Sequence, residues 1–87
     1  MVTWRELITK TMSRFDENFE DVVHSVSEND NWLDINFDNG YGLAEGQPFT
    51  LWTKNRVYFP VQYDGSEWVE SVPRNPNQEV KSHIGGG

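Results

Sequence analysis

Apolar and polar positions follow two different periods along this chain, and the change of period divides it. Near the start, Trp4, Leu7, Ile8, Thr11 and Phe15 recur at three- and four-residue spacing, the period of an amphipathic helix. Thr3 and Glu6 form a Thr-x-x-Glu pattern just ahead of that run, which marks a helix start. The series Ile8, Met12, Phe15, Phe19, Val22, Val26 continues the same period and would suit one helix of about three heptads. Against a single helix, Asp16-Glu17-Asn18 is a polar interruption and Asn18 can cap a new helix. Glu20 and Asp21 would then lie in a first turn, where acids suit the helix dipole. The pattern therefore predicts one or two N-terminal helices, two being the preferred division, at about 3–14 and 18–26. The polar stretch Ser27-Glu28-Asn29-Asp30-Asn31 ends the helical part.

Beyond it the period is two. Trp32 to Asp38 alternates, which would put Leu33, Ile35 and Phe37 inward and Asp34, Asn36 and Asp38 together on the other face. Asn39-Gly40 is a tight-turn signal, and Gly42, Gly46 and Pro48 make the next segment irregular. Phe49 to Thr53 reads as a second strand, turning at Lys54-Asn55. Val57 to Tyr63 reads as a third, with Val57, Phe59, Val61 and Tyr63 on one face, and Asp64-Gly65 leads into a fourth from Trp68 to Val72. Pro60 has no N–H to give a ladder, so it points to an edge position or a bulge. The expected architecture is α+β: one or two helices packed on a small antiparallel meander of three to four strands. Residues 1–76 form the expected compact domain. Residues 77–87, ending in Gly85-Gly86-Gly87, form an expected flexible tail. Trp4, Leu7, Ile8, Phe15, Phe19, Val22, Leu33, Ile35, Phe37, Phe59 and Val61 should supply much of the core.

Composition narrows the class. A chain of 87 residues with 4 Trp, 5 Phe and 3 Tyr carries too much apolar mass for a disordered acidic tail. With no Cys there is neither a disulfide framework nor thiol chemistry. The first residues lack the shape of a signal peptide, and no apolar run approaches the roughly 18 residues of a membrane span. A cytoplasmic location in a bacterial host and no membrane partner are expected.

Charge changes the picture further. Between Arg14 and Lys54 there is no basic residue, yet Asp16, Glu17, Glu20, Asp21, Glu28, Asp30, Asp34, Asp38 and Glu45 all fall there. The chain has 7 Lys and Arg against 14 Asp and Glu, a net charge of −7. A single-sign block attracts basic surfaces and repels nucleic acid. Basic residues with nearby aromatics occur around Lys54, Arg56, Tyr58 and Trp68; the acidic half opposes their use on single-stranded bases.

One segment has metal-ligand spacing. Counted as a twelve-residue calcium loop, Asp34, Asn36, Asp38 and Glu45 occupy positions 1, 3, 5 and 12. Position 6 should be Gly and is Asn39, and the flanks read as a strand and a Gly-Pro segment rather than helices, so no metal is the preferred reading. His24, expected on or beside a helix, and His83 lack a partner at ligand spacing. No activated nucleophile or phosphate-binding loop occurs. The protein is not expected to be an enzyme, nor to carry a cofactor.

The segments Pro48-Phe49-Thr50-Leu51-Trp52-Thr53, Val57-Tyr58-Phe59-Pro60, Tyr63-Asp64-Gly65-Ser66-Glu67-Trp68-Val69 and Val72-Pro73-Arg74-Asn75-Pro76 resemble small uncharacterised proteins of phages and prophages. That resemblance covers residues 48–76. In size and charge the chain is also similar, as a class, to phage-encoded inhibitors of host defence, such as anti-restriction, anti-CRISPR and glycosylase-inhibitor proteins. Neither likeness carries over a functional residue. Together with the charge block they imply a non-enzymatic inhibitor that binds a host nucleic-acid-processing or defence protein through an acidic, DNA-mimicking surface. The expected contacts are Asp16, Glu17, Glu20, Asp21, Asp30, Asp34 and Asp38, with Trp32 and Tyr41 as aromatic anchors. No direct nucleic-acid contact is expected, and the chain should be a monomer or small homo-oligomer. The alternative is a small structural or assembly protein of a virion or complex, and the third reading a calcium-binding or enzymatic module.

Overall fold

The computed structural model describes residues 1–40 and 45–84. One helix, α1 (Trp4–Ser13), opens the chain. Thr3 caps it: its side-chain oxygen accepts the Glu6 N–H at 3.2 Å. Trp4, Ile8, Thr11 and Met12 form its buried face, as the period of the apolar positions requires. The helix closes through a left-handed residue. The Glu17 N–H returns to the Met12 carbonyl at 3.0 Å, and Asp16 between them has φ 57°. This is a Schellman-type ending with Asp at the place usually held by Gly.

The second helix expected over 18–26 does not form. Asn18 caps as anticipated, accepting the Glu20 N–H at 2.8 Å, while the Asp21 carboxylate accepts the Asn18 N–H at 2.9 Å. The capped turn is 3-10 and lasts only Phe19–Asp21. Val22–Ser27 then runs as strand β1. Val22, Val23 and Val26 are β-branched, which costs χ1 freedom in a helix and fits a pleated surface. Pairing with a neighbouring strand outweighs the local helical period. His24 therefore lies on a strand, exposed, with its ring 5.2 Å from Trp52.

The strand expected over 32–38 is also absent. Trp32–Asp34 is a 3-10 turn, and extended pairing is limited to a bridge between Val2 and Phe37, two mutual N–H to carbonyl bonds of 2.9 Å. This segment packs side chains instead of joining the sheet. Trp32 stacks on Phe49 at 4.8 Å between ring centroids, and Trp4 meets Phe37 at 4.7 Å and Phe49 at 4.9 Å.

The remaining strands follow the predicted order: β2 (Phe49–Thr53), β3 (Arg56–Tyr63) and β4 (Ser66–Pro73). The sheet is an antiparallel meander, β1-β2-β3-β4. Thr53 holds the Lys54-Asn55 turn, its hydroxyl oxygen accepting the Arg56 N–H at 2.9 Å. Asp64 and Gly65, with φ 50° and 84°, form the two-residue turn between Tyr63 and Ser66, where both central residues need positive φ.

Two details of β3 differ from the pattern reading. Pro60 marks neither an edge strand nor a bulge, because β3 lies between β2 and β4 and its register with β4 is unbroken. The ladder with β2 covers only Val57 and Tyr58, so it stops before the residue that cannot donate. The inward face is also inverted over most of the strand. Tyr58 is fully buried with Leu51 and Val69, while Phe59 is only half-buried. Val61 is buried as expected.

The core lies between α1 and the sheet face of Leu51, Tyr58 and Val69. Leu7, Phe15, Phe19, Val22 and Leu33 pack at its margin, and Ile35 is half-buried. Gly46 fits where a Cβ would meet Trp4 Cζ2 at 2.5 Å and Phe37 Cε2 at 2.9 Å. Its N–H and that of Glu45 are accepted by the buried Glu67 carboxylate at 3.0 and 2.7 Å. Residues 74–84 form no helix or strand, but Glu79 is held by a bidentate pair with Arg56, both bonds 2.9 Å.

Candidate functional site

Polar groups gather where the end of α1 meets the β2–β3 turn. A surface pocket of about 370 Å³ opens there, lined by Phe15, Asp16, Glu17, Asp21, Asn55, Arg56 and Asn77. The Schellman-type ending of α1 turns Asp16 and Glu17 toward the sheet, and the 3-10 turn that follows brings Asp21 to the same opening. Acids separated by a turn in sequence thus share one site. Glu20 is exposed on the same 3-10 turn but does not line the pocket.

The floor is fixed by hydrogen bonds. The Glu17 carboxylate accepts the Tyr58 hydroxyl at 2.6 Å and the Thr53 hydroxyl at 2.9 Å. Burial, then the bond to Glu17, holds the Tyr58 phenol well above its ordinary pKa, because ionising it would place two anions together in a poorly solvated place. Arg56 supplies the one cation of the lining, and its donors are engaged internally. Its Nε donates to Ser71 Oγ at 2.7 Å, its terminal nitrogens donate to Glu79, and its guanidinium lies 3.7 Å from the centre of the Phe15 ring. The Arg56 donors hold the Glu79 carboxyl below the usual carboxylate range. Asp16 and Asp21 remain exposed at the mouth.

Other residues expected to bind a partner are divided by the fold. Asp30 is exposed beyond the far end of β1 and lines a separate pocket of about 290 Å³ with Ser25, Val26, Ser27, Asn29 and Trp32. Asp34 is engaged by Arg5 through two bonds of 2.7 and 3.0 Å, and the Arg5 donors hold its carboxyl below its ordinary pKa. Asp38 turns back on its own chain, accepting the Gly40 N–H at 3.0 Å. Trp32, expected as a surface anchor, is a core side chain with 5 % exposure; the alternation that placed it outward belonged to a strand that does not form. Tyr41 lies outside the described residues.

The calcium spacing is not gathered into a loop of ligands. Asp34 pairs with Arg5, and Glu45 Oε1 accepts the Asp38 N–H at 3.4 Å. Among the described residues, no group of three or more His, Asp or Glu side chains is placed to hold a metal ion. No helix among them is long and apolar enough to cross a membrane. Sequence reasoning missed Thr53, Asn55, Tyr58 and Asn77 as parts of the site. Of these, only Asn55 fell at a position the sequence marked, the turn expected at Lys54-Asn55. No protein-family model, curated protein or solved structure matches this chain.

Proposed function

We propose that this protein works by binding rather than by catalysis, and that it engages a basic surface of another protein through the pocket of Asp16, Glu17 and Asp21. The gathering of these three carboxylates around one opening, with Arg56 already paired to Glu79, supports that reading. A Lys or Arg side chain entering there would meet acceptors and no free competing cation. Steering by the net charge of −7 would speed encounter and make it salt-dependent. A nucleic-acid-binding groove is the kind of basic surface such a module fits, which is how an inhibitor of a host nucleic-acid-processing or defence enzyme would act.

The test is affinity capture from bacterial lysate at low and high salt, run with the native chain and with an Asp16→Asn/Asp21→Asn variant. Asn keeps the left-handed backbone at position 16 and an acceptor oxygen for the Asn18 N–H at position 21. A basic partner captured by the native chain, released by salt and lost in the variant is the expected outcome. Capture that is indifferent to both changes overturns the proposal.

A second reading, a structural or assembly component, is favoured by the sheet face opposite α1. Trp52, Val57, Phe59, Trp68 and Val72 share it by register, and these side chains are half-buried rather than covered. It predicts self-association with little salt dependence, measurable by light scattering.

A further inference from the structure

The two edges of the sheet are treated differently. The outer edge of β4 is engaged at several backbone groups by other parts of the chain. The Glu67 N–H donates to the Asn39 carbonyl at 2.6 Å, and the Glu67 carbonyl accepts Asn39 Nδ2 at 3.2 Å. The Val69 carbonyl accepts the Thr11 hydroxyl at 3.0 Å, and the Ser71 carbonyl accepts an Arg56 nitrogen at 3.3 Å. The other edge is β1, the terminal strand on that side. Among the described residues no strand or bridge pairs with its outer side. Its four central residues, Val23, His24, Ser25 and Val26, are all exposed. Edge strands are commonly protected by Lys, Pro, an inward charge or a bulge; Val22 to Ser27 contains no Lys, Pro or carboxylate, and its bulge lies at its start, between Val22 and His24, leaving His24 to Ser27 in regular register with β2.

We propose that β1 is a docking edge that adds an extended strand of a partner carrying basic residues at both ends. The charges flanking β1 select that occupant. Glu20 and Asp21 precede the strand, and Glu28 and Asp30 follow it. A second copy paired antiparallel would set Asp21 against Glu28 at each end, and a parallel copy would set each acid against itself. Like charges directly opposite disfavour both. A strand with an uncharged centre and Lys or Arg at its ends satisfies the open backbone groups and both acidic flanks. At one end the strand is preceded directly by Asp21, which also lines the first pocket; at the other, Ser25 to Ser27 line the pocket beside Asp30. Six residues of strand span about 20 Å, which sets the spacing of the partner's basic groups. This inference rests on the basic-partner reading above and adds the mode of engagement: main-chain pairing supplies affinity and the ends supply specificity.

The test uses the full chain, labelled for amide NMR, and three synthetic peptides. The first has alternating Thr and Val with two Lys at each end. The second is identical but N-methylated at four consecutive central amides, so that it cannot donate to a ladder from either edge. The third carries Glu in place of Lys. The expected result is that the first peptide shifts the amides of Val23 to Val26. The N-methylated peptide should bind about tenfold more weakly or worse, and the Glu-ended peptide should not bind. Equal binding of the N-methylated peptide would leave the basic-partner reading standing and overturn strand addition. Equal binding of the Glu-ended peptide would overturn the charge selection and, with it, the basic partner. No binding by any of the three overturns both. A dimer of the free chain that broadens the β1 amides would name a second copy as the occupant and overturn the proposal.

Discussion

Asp16 carries two opposed demands. Its backbone is left-handed, with φ 57°, a conformation that disfavours side chains with a Cβ, although Asp tolerates it better than most. Its carboxylate stands at the mouth of the acidic pocket. Asp16→Gly should therefore raise stability by about 1 kcal/mol while weakening binding of a basic ligand, as read by chemical denaturation and titration of the same variant. A variant that loses stability would show that the Asp side chain supports the helix end by more than its backbone costs. Gly46 presents the opposite case. Its Cα faces the Trp4 and Phe37 rings so closely that an added methyl would lie 2.5 Å from Trp4 Cζ2. Both rings are buried, in tilted and edge-on contact with each other and with Phe49, so neither can withdraw cheaply. Gly46→Ala should cost about 1–3 kcal/mol by overpacking, measured by thermal or urea unfolding.

At the scale of elements, the C-terminal segment is joined to the sheet by chemistry that depends on pH. Arg56 holds Glu79 through two bonds of 2.9 Å, and those donors keep the Glu79 carboxyl below its ordinary 4.5. A carboxyl with a depressed folded pKa contributes its stabilisation fully above its unfolded value and loses it as pH falls through the folded one. Docking of residues around Glu79 should thus persist above pH 4.5 and fade below it. The Arg56 side-chain NMR signals should follow that transition, and Glu79→Gln should flatten it. The same scale shows why one predicted helix became a strand. From Phe19 to Val26 the apolar spacing fits both a helix and, with its valines, an edge strand. The Asn18 cap was readable and correct, but a cap starts a helix without fixing its length.

For the whole molecule, the excess of carboxylates is a cost to the free chain and, on the function proposed above, a resource for binding. Asp34 is neutralised by Arg5 and Glu79 by Arg56, whereas Asp16, Glu20, Asp21, Glu28 and Asp30 remain exposed along one run of sequence. Self-repulsion at a net charge of −7 should be relieved by salt. Raising sodium chloride from about 0.05 to about 0.5 M should increase the melting temperature of the free protein while weakening any complex with a basic partner. A melting temperature that falls with salt would mean that internal pairs such as Arg56 with Glu79 outweigh the repulsion.

Local physical chemistry alone determined the capped first helix, the strands from Phe49 onward, the Asp64-Gly65 turn and the acidic character of residues 16–45. Each depends on side-chain period, turn chemistry or charge within a few residues, and such signals are written along the chain. The tertiary structure decided what depends on partners distant in sequence. Val22 to Ser27 became a strand because β2 offered it a ladder. Trp32 left the surface because Phe49 offered it a ring. Arg56 became a buried tie because Phe15, Ser71 and Glu79 converge on it. Whether an acid is exposed or already paired, and which sheet edge is left open, follows from contacts that close only when the chain is folded.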